Sequence, residues 1–159
     1  MMENMWHQHL LRVHYKATDQ MGVVHHANYI SWFEIGRTEM MRHLGIAYRK
    51  MEELGLLLPV LDVNVKYHKP AYYDDCVAIY TSLATFSPIR LTFNYEVRRL
   101  SDMECQENNV QHKLSSERMG ELLTSGQTVH MWLNQQWKPA RLNKVAPDIY
   151  KQLNDLLNH

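Results

Sequence analysis

The sequence predicts an α+β domain in which an antiparallel sheet of about five strands wraps around one long helix. Two observations carry this reading. A strongly apolar helical repeat near the N-terminus stands between a first strand and a run of alternating segments, and those segments are joined by short connections that imply antiparallel pairing. The 159 residues contain no interior Pro/Gly/Ser-rich linker, so they form one domain, 1–159, large enough to bury a real core.

The elements follow in order. His9-Leu10-Leu11-Arg12-Val13-His14-Tyr15-Lys16 alternates loosely and reads as the first strand. Tyr29, Trp32, Phe33, Gly36, Met40 and Leu44 then recur on one face of a helix, with Asn28 as its N-cap and Trp32, Phe33, Met40 and Leu44 as core. Glu34 and Arg37, three apart, are expected to form a surface or interface ion pair. Gly45 to Glu53 reads as a second helical piece closed by Gly55. In Leu56 to Tyr67, Leu61, Val63, Val65 and Tyr67 share one face and Asp62, Asn64 and Lys66 the other, the pattern of a half-buried strand ended by Pro70. Strands from Cys76 to Phe86 and Ile89 to Leu100 flank a Ser87-Pro88 turn. Ser101 to Glu117 is polar and reads as an exposed loop. Arg118 to Leu133 returns to strand, Asn134 to Pro139 breaks it, and a last helix starts at about Pro147 with Ile149, Leu153 and Leu156 on one face.

Composition excludes several functions. Lys plus Arg and Asp plus Glu are both 17, so no global field recruits nucleic acid or an anionic membrane. No segment approaches the ~20 apolar residues of a membrane span, and Met1-Met2-Glu3-Asn4-Met5-Trp6-His7 lacks the pattern of a signal peptide. A cytoplasmic location is expected. Cys76 and Cys105 fall in a strand and a polar loop with no disulfide framework around them, and are expected as free thiols.

The chemistry concentrates in Asp19-Gln20-Met21-Gly22-Val23-Val24-His25-His26-Ala27-Asn28-Tyr29, where the chain turns from extended to helical. Gly22 supplies the backbone freedom of a tight bend. Free amides at a helix start form a positive pole that can hold an oxyanion, and an Asp carboxylate nearby is charged at neutral pH without an activating base. Asp19 is thus a candidate nucleophile or general base toward water. On local physics alone the turn cap is the favoured reading, since Asp before Gly is common turn chemistry. The adjacent histidines and Asp19 suggest a metal only weakly: no HExxH or CxxC spacing completes a site, and no metal is expected.

The pattern Thr18-Asp19-x-x-Gly22-Val23-Val24-x-His26-x-Asn28-Tyr29-x-x-Trp32-x-Glu34-x-x-Arg37 resembles the signature of hot-dog-fold thioesterases of the 4-hydroxybenzoyl-coenzyme A thioesterase class, including the Tol-Pal-associated branch. The resemblance continues through Val65-Lys66-Tyr67-x-x-Pro70-Ala71-x-x-Asp74-Asp75 and Ser125-Gly126-Gln127-Thr128-Val129, covering roughly residues 10–142. It implies hydrolysis of acyl-CoA, with Asp19 as the catalytic carboxylate, the His26 amide polarising the thioester carbonyl, the His26 side chain orienting the thioester or aiding proton transfer, and Tyr29 walling the pocket. His25, where an aromatic residue is usual, and the long Ser101 to Glu117 connection depart from the family. The resemblance further implies a homodimer or homotetramer paired through sheet edges. No cofactor is implied, because coenzyme A enters as part of the substrate. Lys66, His68 and Lys69, or Arg90 and Arg98, are candidates to bind its phosphates. Two other readings share the fold: hydrolysis of acyl-carrier-protein thioesters, and a non-catalytic acyl-CoA sensor.

Overall fold

A computed structural model describes residues 4–108 and 113–158. Its elements are β1 (Trp6–Arg12), α1 (Ala27–His43), α2 (Tyr48–Glu53), β2 (Val60–Tyr67), β3 (Cys76–Phe86), β4 (Arg90–Leu100), α3 (Asp102–Glu107), β5 (Lys113–Ser115), β6 (Glu121–Met131), α4 (Leu142–Val145) and α5 (Pro147–Leu157). The strands form one antiparallel sheet in the order β2-β6-β4-β3-β1-β5. The sheet curls around α1, the hot-dog arrangement, with six strands rather than about five. Among the described residues, no helix is long and apolar enough to cross a membrane.

The core lies between α1 and the concave face of the sheet. Trp32, Phe33 and Met40 are buried there with Ile79, Phe93, Tyr95 and Val97, and Leu44 packs at the margin. Phe33 stacks on Tyr95 with ring centroids 4.4 Å apart and planes 10° from parallel. Helix α5 docks Ile149 and Leu153 into the same core, and Leu156 packs against it.

Several expectations are corrected. Strand β1 runs from Trp6 to Arg12, because the buried polar residues His7 and Gln8 hide its period, and Tyr15–Ala17 form a 3-10 turn instead. The N-cap of α1 is His26; Asn28 lies inside the first turn, its side-chain amide donating to the carbonyls of Ala17 (3.0 Å) and His25 (3.3 Å). Strand β2 is an edge strand pairing only with β6, so Val60, Leu61, Val63 and Tyr67 are exposed rather than half-buried. The segment Ser101 to Glu117 holds α3, started by a capping box between Ser101 and Glu104, and β5, which pairs with β1. The loop expectation for residues 109–112 lies outside the described residues, as do residues 1–3 of the N-terminal reading. Because α3 folds back over the start of β3, Cys105 meets Cys76 in a disulfide with Cα atoms 6.5 Å apart, and the two are not free thiols. Glu34 and Arg37 form no ion pair among the described residues.

One core polar chain has a pH consequence. Tyr95 Oη and Thr128 Oγ1 lie 2.6 Å apart, and Thr128 Oγ1 lies 2.8 Å from His130 Nε2. Burial, with the nearby Arg37 charge, pushes the His130 imidazole from its ordinary 6.5 down to about 4. The folded state therefore holds His130 neutral where the unfolded chain protonates it. Its stabilising contribution is complete above about pH 6.5 and is lost as pH falls toward 4, reaching up to about 3 kcal/mol. Urea denaturation at pH 7 and pH 4.5 checks this: His130→Gln is expected to lose less stability between the two pH values than the wild type, and an unchanged pH slope contradicts it.

Candidate active site

The site begins with the turn after β1. Gly22 takes φ +81, a left-handed conformation that glycine adopts without strain, and its amide donates to the Asp19 carbonyl at 3.0 Å. The Asp19 amide donates to the Val23 carbonyl at 2.8 Å, and Asp19 Oδ1 accepts from the Met21 amide at 2.8 Å. The turn-capping reading of Asp19 is thus realised by one oxygen. Among the described residues Oδ2 has no hydrogen-bonded partner, so capping leaves a free oxygen for chemistry.

The turn is tied to the start of α1 by backbone bonds from Val24 to Ala71 (2.9 Å) and from His25 to Ala17 (2.8 Å). His25 Nδ1 accepts from the Ala27 amide at 3.2 Å, occupying one of the first free donors of the helix. No hydrogen bond is made by the His26 amide among the described residues. This amide sits at the positive end of a 17-residue helix. The two histidine rings lie against each other, centroids 4.2 Å apart, and among the described residues no group of three His, Cys, Asp or Glu could hold a metal.

Asp19, Met21, Val24, His26, Tyr29, Tyr67, His68, Lys69 and Pro70 line one cavity of about 290 Å³. Tyr29 is buried in its wall, where its hydroxyl accepts from the Ala71 amide at 3.0 Å; burial raises its pKa above the ordinary phenol value. His68 Nε2 lies 3.0 Å from Ser125 Oγ, and Lys69 pairs with Glu121 at 2.8 Å. Both side chains are exposed at the mouth. Glu121 is exposed, and its hydrogen bond from Lys69 lowers its pKa.

The candidate residues are only partly brought together. Asp19, His26, Tyr29, His68 and Lys69 line the cavity, and Gly22 shapes the turn that carries Asp19. Lys66 alternates to the opposite face of β2, where it lines a shallow depression with Asn64 and Ser125. Arg90 begins β4 opposite Met131, a full strand length of about 30 Å from the Leu100 end that neighbours the site. Arg98 is engaged by Glu96 at 2.6 Å and by the Gly120 carbonyl at 2.9 Å. Sequence reasoning gave Tyr67 no site role. Its hydroxyl donates to the His26 carbonyl at 2.9 Å, and its ring stands edge-on to Tyr29 at 5.4 Å. The signal was present in the alternation that places Tyr67 on the helix-facing side with Val65.

Comparison with known proteins gives one consistent answer. The sequence profile of the Thioesterase superfamily matches residues 21–106. YneP of Bacillus subtilis (strain 168), whose acyl-CoA thioesterase assignment is provisional, is 31% identical over 139 residues, spanning 87% of this chain and 88% of that protein. The acyl-CoA thioester hydrolase YbgC of Escherichia coli O6:H1 is 33% identical over 87 residues, 55% of this chain and 65% of its own. A solved DHNA-CoA thioesterase from Staphylococcus aureus superposes with a TM-score of 0.81 at 29% identity, covering 96% of this chain and 91% of that one.

The Tyr67 bond to the helix start is testable. Tyr67→Phe is expected to lower unfolding free energy by about 0.5–1 kcal/mol, the value of one partly solvated hydrogen bond. Equilibrium urea denaturation measures it, and stability equal to wild type contradicts a bond that holds the helix start.

Proposed function

This chain belongs to the thioesterase superfamily, and from that premise we propose that it hydrolyses acyl-CoA to the free acid and coenzyme A. Asp19 supplies the carboxylate and the His26 amide the oxyanion donor. The observation that carries this reading is the pairing of two unsatisfied groups on one cavity: Asp19 Oδ2 and the amide of His26 at the start of α1.

Two routes use the same groups. In one, Asp19 attacks the acyl carbon, the thiolate leaves, and water hydrolyses the resulting anhydride. In the other, Asp19 removes a proton from water as it attacks, and collapse of the tetrahedral intermediate expels the thiolate. In both, negative charge grows on the carbonyl oxygen, where a fixed amide at a helix N-terminus is worth more in the transition state than in the ground state. The His26 ring stands over the same cavity and orients the thioester. His68 and Lys69 at the mouth meet the phosphates of coenzyme A, while Lys66 and Arg90 lie elsewhere on the same chain. The sequence pattern supports the 4-hydroxybenzoyl-CoA thioesterase class and its Tol-Pal-associated branch. A homodimer or homotetramer is part of the proposal: β2 leaves a sheet edge with exposed Val60 and Leu61, and a second copy would pair along it.

Thiol release from a panel of acyl-CoA substrates tests the reading, with wild type beside Asp19→Asn. The expected outcome is turnover that falls about 100-fold or more in the variant while folding is retained. Near-normal turnover of Asp19→Asn removes Asp19 from the mechanism. The same acyl group presented on coenzyme A and on a carrier protein separates the two classes of thioester, and saturable binding without hydrolysis by the wild type identifies a sensor.

A further inference from the structure

A second cavity, of about 230 Å³, lies between α1, α2 and the residues just before β2. It is lined by Arg37, Tyr48, Met51 and Trp132, with Glu34 and Glu52 at its solvent side. Two donors point to a missing acceptor. Trp132 is fully buried, and its indole N–H has no hydrogen-bonded partner among the described residues; the Tyr48 hydroxyl is buried and lacks one of ordinary geometry. Leaving such groups unpaired is costly, and a ligand oxygen would relieve it. Arg37 adds the charge. It takes part in no ion pair among the described residues, and its guanidinium acts on Tyr48, Tyr95 and His130 around it. Burial holds the Tyr48 phenol well above its ordinary pKa, so it remains a neutral donor.

The cavity and the Asp19 site lie along the same helix, α1. His26, Ile30, Glu34 and Arg37 descend one flank of α1, and the ten residue steps from Ala27 to Arg37 rise about 15 Å. Strand β2 runs beside this flank: Tyr67 at one end lines the Asp19 cavity, and Leu57 and Leu58, which precede its other end, line the second. Between them the surface is apolar and uncovered, with Ile30 42% and Val63 38% exposed. An acyl chain lying in this seam with its thioester at His26 would bring its far end to Arg37.

We propose that the second cavity receives a carboxylate at the far end of the acyl group, so that the preferred substrates are coenzyme A monothioesters of medium-chain α,ω-dicarboxylic acids. The assignment rests on the thioesterase reading for the position of the thioester. Arg37, Tyr48 and Trp132 supply the charge and the hydrogen-bond donors, and the apolar seam takes the methylenes. Glu34 and Glu52 are solvated, so their repulsion of the incoming carboxylate is screened, while the attraction of Arg37 acts in the half-buried cavity.

Calorimetric titration with S-alkyl-CoA thioethers separates this claim from catalysis, because the probes cannot be hydrolysed. Octyl and decyl thioethers are compared with the same chains ending in a carboxylate. Wild type is expected to bind the carboxyl-ended probes at least tenfold more tightly, Arg37→Met to abolish that preference while still binding the methyl-ended probes, and Tyr48→Phe, a milder change if Arg37→Met fails to fold, to reduce the preference severalfold. Equal or weaker binding of carboxyl-ended probes by wild type overturns the proposal, as does a preference that survives in the variants or failure of every probe to bind. A carboxylate preference without turnover of the matching thioesters counts against the catalytic reading alone.

Discussion

The close approach of α1 to the concave face of the sheet is the constraint on which the rest of this structure depends. At Gly126 in β6, a Cβ would lie 2.5 Å from the Phe33 ring and 2.7 Å from the Asn64 carbonyl oxygen; at Gly36 in α1, one would lie 2.5 Å from Thr81 Oγ1. These two missing methyl groups let helix and sheet meet at a distance no other residue pair would permit. Phe33 then stacks flat on Tyr95, and the axis of α1 is fixed across the sheet. A helix held this way points its N-terminus at one place. That place is the turn carrying Asp19, itself tied to Ala71 and Ala17 by backbone hydrogen bonds.

The same constraint explains what the sheet leaves open. α1 packs chiefly over β1, β3 and β4, so among the described residues the concave side of β2 is uncovered and its outer edge unpaired. An exposed edge with Val60, Leu61, Val63 and Tyr67 is a poor end for a lone sheet and a ready surface for another strand. The Asp19 turn and the open edge lie next to each other, joined by the Tyr67 hydroxyl on the His26 carbonyl. The open edge and the start of α1 are therefore neighbours in this fold.

Much of this was legible in the sequence, and the failures have physical causes. The 3.6-residue period of α1 and the two-residue period of β4 identified both elements, because each buries one continuous face. The Asp19 turn was legible because Asp before Gly has few alternatives. Whether a strand lies at an edge depends on the order of strands in the sheet, which periodicity along one strand does not carry, so β2 read as half-buried. Lys66 falls on the opposite face of β2 from Tyr67 because one step along a strand reverses the face, and charge alone does not say which face matters. The Cys76–Cys105 bond depends on a fold-back of α3 across β3. Its capping box, Ser101-x-x-Glu104, was present in the sequence and marks the helix that produces it. The inward turn of Arg37 has no local signature, since a cation three residues from a glutamate reads as a surface pair until the neighbouring Tyr48 and Tyr95 are in place.

The central claim is that one carbonyl meets both the His26 amide and the Asp19 carboxylate. The most direct measurement is a crystal structure with an acyl-CoA analogue in which a methylene replaces the thioester sulfur, leaving the carbonyl intact. The account predicts the carbonyl oxygen at about 2.7–3.1 Å from the His26 amide nitrogen, with Asp19 Oδ2 facing the carbonyl carbon or a water beside it. A carbonyl bound away from the start of α1, or an Asp19 carboxylate turned from it and fully engaged by the turn, would contradict the account.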